Sequence, residues 1–488
     1  MGSVHQFPAK RNQATSPSPV AALTRALREA VGATLGSDAT FAQREELALV
    51  LANDATRQFL QDDLEMIAES HGAQVDVDGC LYQRHEPGTV RYYTLCGGID
   101  LTRWTYRALG VRNGPTIVPL DLEAGIVEQA TPALGYRVAL GYAKDHMRSC
   151  EEDMRADHRC PPSRSTLERM AKAIGTEATR VATRLTARVR SAERLPEGTV
   201  AIALGLDRAT VPMEEALAAG DVPATRRKAR RKPYVRETPP RVNVQYRMAY
   251  VGTISFHDAE GERLGSRCYA APADENPLDR IVVPLMADLR HALRQDATVA
   301  VGIIQDGAPE LWNLLRAGIA AEPQVTTCYE AIDRYHLNEH LGGALRALEP
   351  DAETRKARLS QWNESLDCND KAIYRIREEI RTAYIEALVV QDDTVRAALD
   401  PHLTYLDNNA SLMRYARVRA VGLPVGSGTT EAACKSVIEL RTNGRSQRWR
   451  PDGLDAVLML RSIHVSDRLP RFWANLARTY RKEVTLCA

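Results

Sequence analysis

The region after Thr199 alternates short apolar runs with polar and helical stretches, and this order restricts the fold more than any other feature of the chain. Val200 to Leu206 is an apolar run that ends at Asp207, and Val299 to Ile304 is a second run that ends in Gln305-Asp306. Apolar runs of this length between turn residues predict buried β-strands. We therefore predict an α/β domain in which two strands each end beside an aspartate.

The stretch around the second run contains the other elements of such a domain. The predicted elements are strands at Val242–Phe256 and Arg263–Tyr269, a helix from about Pro277 to Arg294, and a strand at Gln324–Ile332 that ends at Asp333. The order of these elements is three strands, a helix, a strand, a helix and a strand. This is the element order of the RNase H-like fold. We predict an RNase H-like core that a later helix completes with a further acidic residue.

After the first part of the core, the sequence predicts an insertion and then a segment that completes the core. Residues 196–345 form the first part of the predicted core, and residues 346–420 are polar and helical in composition, which indicates an all-α insertion. Residues 421–488 complete the core and include the segment VGSGTTEAACKSVIELR. In that segment Glu431 and Lys435 recur at helical spacing, which predicts that both lie on one side of a helix.

The N-terminal part of the chain reads as a mainly helical region of a different kind. Residues 1–20 predict a disordered arm, and residues 21–195 predict helices around a small hairpin module, with breaks at Asp78-Gly79 and Pro87-Gly88. Within it a helix opened by Thr131-Pro132, the PPSR break and a short helix capped by Ser165-x-x-Glu168 give the outline of a helix-turn-helix. A helical hairpin without a DNA role fits this outline equally well.

Composition excludes several classes of protein. No apolar stretch approaches the roughly 18 residues of a membrane helix, so we expect a cytoplasmic protein. The nine cysteines include no Cys-x-x-Cys pair, so neither a disulfide framework nor a zinc ribbon is predicted.

Positive charge is concentrated locally, because the formal net charge of the whole chain is only +1. The first basic run comprises Arg226, Arg227, Lys228, Arg230, Arg231, Lys232 and Arg236, and the second comprises Arg441, Arg445, Arg448 and Arg450. Such runs are solvated loops about as often as they are DNA contacts. Within the first run, we predict that Arg230, Arg231 and Lys232 contact backbone phosphates.

Asp207, Asp306 and Glu431 are the candidate catalytic and metal-binding residues. An apolar strand that ends in an aspartate holds a carboxylate rigidly, and carboxylate oxygens suit Mg²⁺ or Mn²⁺. Two such ions can activate a water or a 3′-hydroxyl on one side of a phosphodiester and stabilise the leaving oxygen on the other side. A single aspartate after a strand is more often a turn or cap residue, so the prediction depends on the combination.

At these residues the sequence resembles DDE transposases of bacterial insertion sequences, relatives of retroviral integrases in the RNase H-like superfamily. The resemblance is carried by ALGLDRATVPM, GIIQDGAPELWNLL, YEAIDRYHLNEHL and GSGTTEAACKSVIELRTNGRSQRW, and more weakly by YYTLCGG, TPALGY and PPSRSTLER. It implies that Asp207, Asp306 and Glu431 form the Asp-Asp-Glu triad. It also implies two bound Mg²⁺ or Mn²⁺ ions. It further implies a bacterial, nucleoid-associated protein that forms a homodimer or a larger assembly on the inverted-repeat ends and target DNA.

Several residues near this triad keep two interpretations. Arg208 stands where the family often has glycine, and would either alter substrate geometry or pair with a carboxylate. His336 and His340 are one helical turn apart, and a structural or DNA-positioning role is favoured over metal binding. Trp449 would stack on an unpaired base or be buried in the core. Asp333 is the alternative to Glu431 as the third metal ligand. We predict that it instead orients the metal-binding residues without binding the metal itself.

The resulting functional prediction is a transposase that cuts and joins DNA strands. Its predicted DNA contacts are Arg230, Arg231, Lys232, Lys435, Arg445, Arg448 and Trp449. Two alternatives share the fold: a transposase-derived DNA-binding protein that does not cut, and a structure-specific nuclease that hydrolyses but does not join. No nucleotide cofactor is predicted, because the chain contains no phosphate-cradling glycine loop.

Overall fold

The structure is a computed structural model, and its contacts divide the chain into two compact units. It describes residues 19–111, 114–216, 242–272, 279–444 and 447–487. The first unit takes in Met1–Gly135, Arg148–Leu167 and Tyr480–Ala488, and the second unit takes in Tyr136–Met147 and Glu168–Thr479. The basic run at 226–236 and Arg445 lie outside the described residues.

The first unit begins with two helices followed by a β-sheet. Its elements are α1 (Pro19–Thr34), α2 (Phe41–Ser70), β1 (Gln74–Val77), β2 (Cys80–Thr94), β3 (Gly97–Ala108), β4 (Thr116–Ile117) and α3 (Pro119–Ala124). The start of α2 is fixed by a capping box, in which the Thr40 hydroxyl accepts from the Gln43 amide and the Gln43 side chain accepts from the Thr40 amide. Leu64 and Ala68 of α2 pack with Tyr92, Ile99 and Leu101 of the sheet.

The hairpin of this sheet is longer than the small module that the sequence predicts. Pro87 and Gly88 do not break the strand, because a register shift between Arg84 and Pro87 accommodates the proline, which has no amide hydrogen to donate. The chain turns after Thr94 instead, where the Thr94 hydroxyl donates to the Gly97 carbonyl oxygen at 3.0 Å. The predicted break at Pro87-Gly88 is therefore wrong.

Three helices follow: α4 (Pro132–Lys144), α5 (Met147–Ala156) and α6 (Arg164–Ser191). The predicted short helix is wrong in length, since α6 contains 28 residues. Its first turn is capped by the Ser163 hydroxyl, which accepts from the Thr166 amide at 3.4 Å, so Ser165 already lies inside the helix. The apolar face of α6 is buried, with Leu167 and Ile174 fully inaccessible to solvent.

The second unit is built on a mixed five-stranded sheet. Its elements are β5 (Ala201–Ala216), β6 (Val242–His257), β7 (Arg263–Pro272), α7 (Asp279–Gln295), β8 (Ala300–Gln305), α8 (Pro309–Ala320) and β9 (Cys328–Ile332). The strand order is β7-β6-β5-β8-β9, with β5, β6 and β7 antiparallel and with β8 and β9 parallel to β5. The sequence predicts the succession of these elements, and their bounds differ from the prediction by a few residues except at β5.

The strand β5 continues well past Asp207, where the sequence predicts its end. Its pairing with β6 extends to Ala216, because Val211 and Met213 alternate into the core and keep the strand on the sheet. Its parallel pairing with β8, by contrast, involves only Ala201 to Leu204. Asp207 therefore lies in mid-strand, just beyond the end of the parallel pairing.

A group of helices follows β9 and shares a core with the sheet. They are α9 (Arg334–Leu348), α10 (Ala352–Cys368), α11 (Ala372–Val389), α12 (Asp393–Asn409) and α13 (Tyr415–Arg419), with a 3₁₀ turn at Ala410–Leu412. Residues 346–420, all of which the structure describes, contain no strand. Trp362, Leu366 and Ile376 from these helices pack in one cluster with Ile304 and Ile332 of the sheet. The helical segment is therefore anchored on the β8–β9 side of the sheet.

The chain then returns to the sheet through a short helix. The last elements are α14 (Gly428–Ala433), a π-helical segment (Cys434–Glu439), α15 (Leu440–Thr442), α16 (Pro451–Val465), α17 (Leu469–Tyr480) and β10 (Thr485–Leu486). The strand β10 pairs with β1, so the end of the chain, predicted to belong with the completed core, lies in the first unit. None of the helices in the described ranges is both long and apolar enough to span a membrane.

Candidate active site

The three predicted carboxylates line one small cavity in the second unit. The cavity has a volume of about 240 Å³. Its lining residues are Leu206, Asp207, Asp306, Tyr335, His336, Glu339, Ser427, Thr430 and Glu431. They come from β5, the end of β8, α9 and the start of α14, so folding brings together residues from distant parts of the chain.

Asp207 is the carboxylate that the surroundings disturb most clearly. Burial raises the pKa of Asp207 above its ordinary value, and the negative charges of Asp306 and Glu431 raise it further. The backbone amide of Arg208, which donates to Asp207 Oδ1 at 2.7 Å, and the thiol of Cys434 oppose this shift. The carboxylate is thus partly removed from water and faces two other carboxylates.

Asp306 follows β8 directly and is held by its neighbours. Its Oδ1 accepts from the Ala308 amide at 3.2 Å, and its backbone carbonyl oxygen accepts from the Trp312 indole at 2.6 Å. The buried side chain of Gln305 accepts from the Leu206 amide at 3.2 Å, which ties the end of β8 to β5. These bonds fix Asp306 beside the strand that carries Asp207.

Glu431 reaches the cavity because α14 lies very close to the sheet. A β-carbon at Gly205 would collide with Thr430 Oγ1 and would lie 2.9 Å from the Ile304 carbonyl oxygen, so this contact requires glycine. The Thr430 hydroxyl also lies 2.6 Å from the Thr253 hydroxyl of β6. Sequence reasoning passed over Gly205, although a glycine inside an apolar strand is a signal of close approach.

The spacing of Glu431 and Lys435 predicts a regular α-helix. The helix beyond Glu431 differs from this prediction. It becomes π-helical at Cys434–Glu439, a form that is common at functional sites. Arg461 is buried and donates to the Ser436 carbonyl oxygen, and burial lowers the pKa of Arg461 to about 10. Lys435 remains one turn from Glu431, with Nζ 3.8 Å from Glu431 Oε2 and a largely exposed side chain.

Asp333 lies beside the cavity and is almost completely buried. Its Oδ1 accepts from the His336 amide at 3.0 Å and contacts His336 Nδ1 at 3.2 Å, while its Oδ2 accepts from the Ser427 amide and, at 2.8 Å, from the Ser427 hydroxyl. Burial alone would raise the pKa of Asp333, but the hydrogen bonds from Ser427 and His336 lower it below the ordinary value.

Asp333, His336 and Glu431 also form a group whose potential ligand atoms lie within 4.8 Å of one another. A carboxylate offers about four lone-pair positions, and the four hydrogen bonds to Asp333 occupy them. Asp333 is therefore better placed to hold His336 and Ser427 than to bind a metal. The Ser427 hydroxyl lies 3.1 Å from Glu431 Oε1, so it links Asp333 to the cavity.

The structure pairs Arg208 and His340 with residues that do not line the cavity. Arg208 lies 2.5 Å from Glu310 in the first turn of α8, in keeping with the predicted pairing with a carboxylate. His340 Nδ1 lies 3.1 Å from His402 Nδ1, and its ring stacks on Tyr405 with centroids 3.7 Å apart. Only His336 of the two spaced histidines faces the three carboxylates.

The predicted DNA contacts have different surroundings. Arg230, Arg231, Lys232 and Arg445 lie outside the described residues, while Lys435 and Arg448 are exposed. Arg441, taken as part of a basic surface, is buried beside Tyr142 and Trp449, which corrects that prediction. The Trp449 ring packs against the core cluster around Val211, and its backbone bonds to Pro212 and Glu214, which favours burial over base stacking.

The acidic lining of the cavity makes it a candidate site for a hard divalent cation, although among the described residues the group with three potential ligand atoms within 4.8 Å is Asp333, His336 and Glu431. Among the described residues that line it are four acidic side chains and no lysine or arginine, and repulsion between the acidic side chains contributes to the raised pKa of Asp207. Oxygen donors of this kind suit Mg²⁺ or Mn²⁺, and Asp207, Asp306 and Glu431 would hold them. The chain matches no protein-family model and no curated protein.

Proposed function

We propose that the chain is a DDE-type DNA transposase in which Asp207, Asp306 and Glu431 form the catalytic triad. One observation carries the proposal: three carboxylates from β5, the end of β8 and the first turn of α14 line one cavity that has no cationic lining residue among those described. Acidic clusters that exist for stability are normally matched by arginine or lysine. Lys435 Nζ lies 3.8 Å from Glu431 Oε2, but its side chain is largely exposed and does not line the cavity. An acidic cluster without a cation in its cavity is a candidate for metal-dependent chemistry.

The element order of the second unit supports the same proposal. Three antiparallel strands, α7, a parallel strand, α8 and a second parallel strand follow one another, which is the order of an RNase H-like core. The helical segment 346–420 then separates the sheet from α14, as in transposases with an insertion domain. We propose that the mainly helical N-terminal part recognises terminal inverted repeats, and that the protein acts as a homodimer or a larger assembly on DNA.

The residues of the cavity would have different roles in the proposed reaction. Two divalent ions held there would activate the attacking oxygen and stabilise the leaving oxygen of a phosphodiester. Asp207 faces the charges of both other carboxylates, so a cation held by the three would relieve the repulsion that raises the pKa of Asp207. Ser427 and Asp333 position Glu431 and His336.

The proposed reaction has two displacements at phosphorus. In the first, a water oxygen bonds to phosphorus as the 3′-oxygen of the transposon end leaves. In the second, that 3′-hydroxyl oxygen bonds to a phosphorus of target DNA as a 3′-oxygen of the target leaves. The exposed side chain of Lys435, beside Glu431, is a candidate for a contact to a backbone phosphate near the cavity, and exposed Arg448 remains a candidate DNA contact elsewhere on the surface.

A strand-transfer assay tests this proposal. The full chain is incubated with Mg²⁺, a plasmid target and labelled duplexes that carry the genomic DNA flanking its coding region. A transposase nicks the duplex at one position and joins the new 3′-end to the plasmid, and chelation by EDTA stops both steps. Nicking without joining would identify a nuclease of the same fold, and specific binding without nicking would identify a DNA-binding protein that no longer cuts.

A further inference from the structure

Arg461 is a buried cation in α16 whose hydrogen-bond partners are backbone carbonyl oxygens. It is 3% exposed and donates to the carbonyl oxygens of Ser436, Ala143 and, at 2.9 Å, Lys144. Burial and the positive charge of Arg441 lower the pKa of Arg461 to about 10. Among the described residues no carboxylate forms an ion pair with Arg461, so its buried charge depends on these three carbonyl oxygens.

The Ser436 carbonyl oxygen needs a donor because the helix that follows Glu431 changes its hydrogen-bond spacing. In an α-helix the Leu440 amide would donate to Ser436, four residues earlier. In the π-helical segment it donates to the Lys435 carbonyl oxygen, five residues earlier. The change of spacing therefore takes the usual helical donor away from Ser436, and the guanidinium of Arg461 replaces it.

The other two carbonyl oxygens belong to the last turn of α4. The last carbonyl oxygens of a helix have no amide donor within the helix, so another group must supply one. Arg461 donates to Ala143 and Lys144, and its positive charge is favoured at the C-terminus of a helix by the helix dipole. One planar side chain with donors in fixed directions thus connects the end of α4 to the π-helical segment.

The π-helical segment sets the direction in which Glu431 faces. One extra residue in a turn rotates the preceding part of a helix by about 100° relative to the part that follows. In a regular α-helix Glu431 and Ile438, seven residues apart, would lie on one side. Here Glu431 lines the carboxylate cavity, whereas Ile438 is fully buried in a core cluster that includes Leu454 of α16. Cys434, the first residue of the segment, also bonds to Asp207 through its thiol.

We infer that Arg461 is a positioning residue for Glu431. It does not line the cavity, and it acts by holding the segment after Glu431 in the π-helical form and against α4. Without the guanidinium, the Ser436 carbonyl oxygen loses its donor and the segment relaxes toward α-helical spacing, which turns Glu431 away from the other two carboxylates. The inference rests on the proposed function and deepens it, because it places a determinant of metal binding outside the cavity.

Binding of Mn²⁺, measured from the electron paramagnetic resonance signal of the free ion, tests the inference without requiring cleavage. Arg461→Met removes the guanidinium and should weaken Mn²⁺ binding about 10- to 100-fold, the usual cost of losing a group that orients a metal ligand. Glu431→Gln should weaken binding at least as much. Adding Arg461→Met to Glu431→Gln should cause little further loss, because the arginine acts through that carboxylate.

Two further variants separate positioning from a general effect on stability. Arg468→Ala is the matched control, because Arg468 is 4% exposed, pairs with Glu193 and Asp288, and does not line the cavity. It should lower stability and leave the Mn²⁺ affinity of the folded protein unchanged. Arg461→Lys keeps the charge, but its ammonium lacks the planar fork that reaches three carbonyl oxygens, so its Mn²⁺ affinity should be intermediate. This variant replaces Arg461→Met in the test if Arg461→Met does not fold.

The outcomes separate this inference from the proposed function. An unchanged Mn²⁺ affinity in Arg461→Met, or in Arg461→Lys where it replaces that variant, would overturn the inference alone. An equal loss of affinity with and without Glu431→Gln would also overturn it, because the arginine would then not act through Glu431. Wild-type protein that binds no Mn²⁺ and cuts no DNA in Mg²⁺ would overturn the proposed function and the inference with it.

Discussion

Two groups of partly or fully buried acidic side chains in the second unit have opposite surroundings. The carboxylate cavity contains Asp207, Asp306 and Glu431, and no arginine or lysine appears among its described lining residues. The second group, here called the arginine network, contains Glu193 and Asp288 together with several arginines and a tyrosine. Its other members are Arg190, Arg267, Tyr269 and Arg468.

The arginine network matches nearly every acidic oxygen with a donor. Arg468 donates to both oxygens of Glu193, at 2.9 and 2.6 Å, and its NH1 lies 3.1 Å from Asp288 Oδ2. Asp288 is also bonded to Arg190 and, at 2.8 Å, to the Tyr269 hydroxyl. Although burial alone would raise the pKa values of Asp288 and Glu193, the arginines lower both below the ordinary value.

The difference separates a group of acidic residues arranged for stability from one that we propose carries chemistry. In the arginine network each buried charge has a partner, so the ionised form is favoured and the network connects α6, α7, β7 and the start of α17. In the cavity the pKa of Asp207 is raised by burial and by its acidic neighbours, so the ionised form is disfavoured until a cation arrives. The predictions below test this contrast.

The largest effect is expected for the cavity carboxylates. Asp207→Ala, Asp306→Ala and Glu431→Ala should each reduce strand cleavage and joining by about a thousand-fold or more, because metal-assisted charge stabilisation supplies several kcal/mol. Binding of end DNA should remain nearly intact. Single-turnover assays on labelled duplexes measure the rates, and Glu330→Gln, at a carboxylate paired with Arg316, is the matched control. A variant of the three that cuts at the wild-type rate would remove its residue from the triad.

The next largest effect is expected on the free energy of unfolding and not on the cleavage rate. Arg468→Ala should lower the free energy of unfolding by about 3–5 kcal/mol, because it leaves Glu193 and Asp288 buried with fewer partners. Urea unfolding measures this change. Arg247→Ala breaks an exposed pair with Glu215 and should change stability little. If the two variants were equally stable, the arginine network would not have the structural role assigned to it.

A smaller loss of cleavage rate is expected for substitution of Asp333. This residue orients its neighbours at the cavity, and its hydrogen bonds leave no free lone pair for a metal. Asp333→Asn should reduce cleavage about 10- to 100-fold, the usual cost of losing a residue that orients a ligand. Glu431→Gln should abolish cleavage under the same conditions. The two rates are compared at saturating Mg²⁺. The opposite result, an active Glu431→Gln and an inactive Asp333→Asn, would assign the third ligand to Asp333.

The smallest effect concerns stability without metal. Because the pKa of Asp207 is raised on folding, its contribution to stability is fully present below the unfolded value near 4 and is lost as pH rises through the folded value. In EDTA at pH 7, Asp207→Asn should therefore raise the unfolding temperature by roughly 2 °C, and this gain should vanish toward pH 4.

The arginine network should respond to pH in the opposite direction. The pKa of Asp288 is lowered on folding, so its contribution to stability is present above the unfolded value and is lost as pH falls through the folded value. Thermal unfolding between about pH 2 and pH 8 measures both trends, because the pKa of Asp288 lies below its ordinary value and that of Asp207 above it. Mg²⁺ should stabilise the wild type more than Asp207→Asn, and a decrease in unfolding temperature for Asp207→Asn at pH 7 would contradict the contrast between the two groups.

The sequence by itself determined the order of elements and the residues that could carry chemistry. Apolar runs bounded by turn residues located β6, β7, β8 and β9, because a strand is specified by the side chains along it and by its local breaks. Asp306 directly after β8 and Glu431 in the first turn of a helix were visible in the same way. The composition of residues 346–420 likewise predicted a helical segment.

Only the tertiary structure decided which of these residues meet and what surrounds them. Pairing with β6 placed Asp207 in mid-strand, and the absence of a side chain at Gly205 allowed α14 to bring Glu431 to the sheet. Four hydrogen bonds from distant or neighbouring groups saturated Asp333, and packing buried Arg441 while it left Tyr335 exposed. These properties depend on contacts between residues far apart in the chain, and local periodicity contains no information about such contacts.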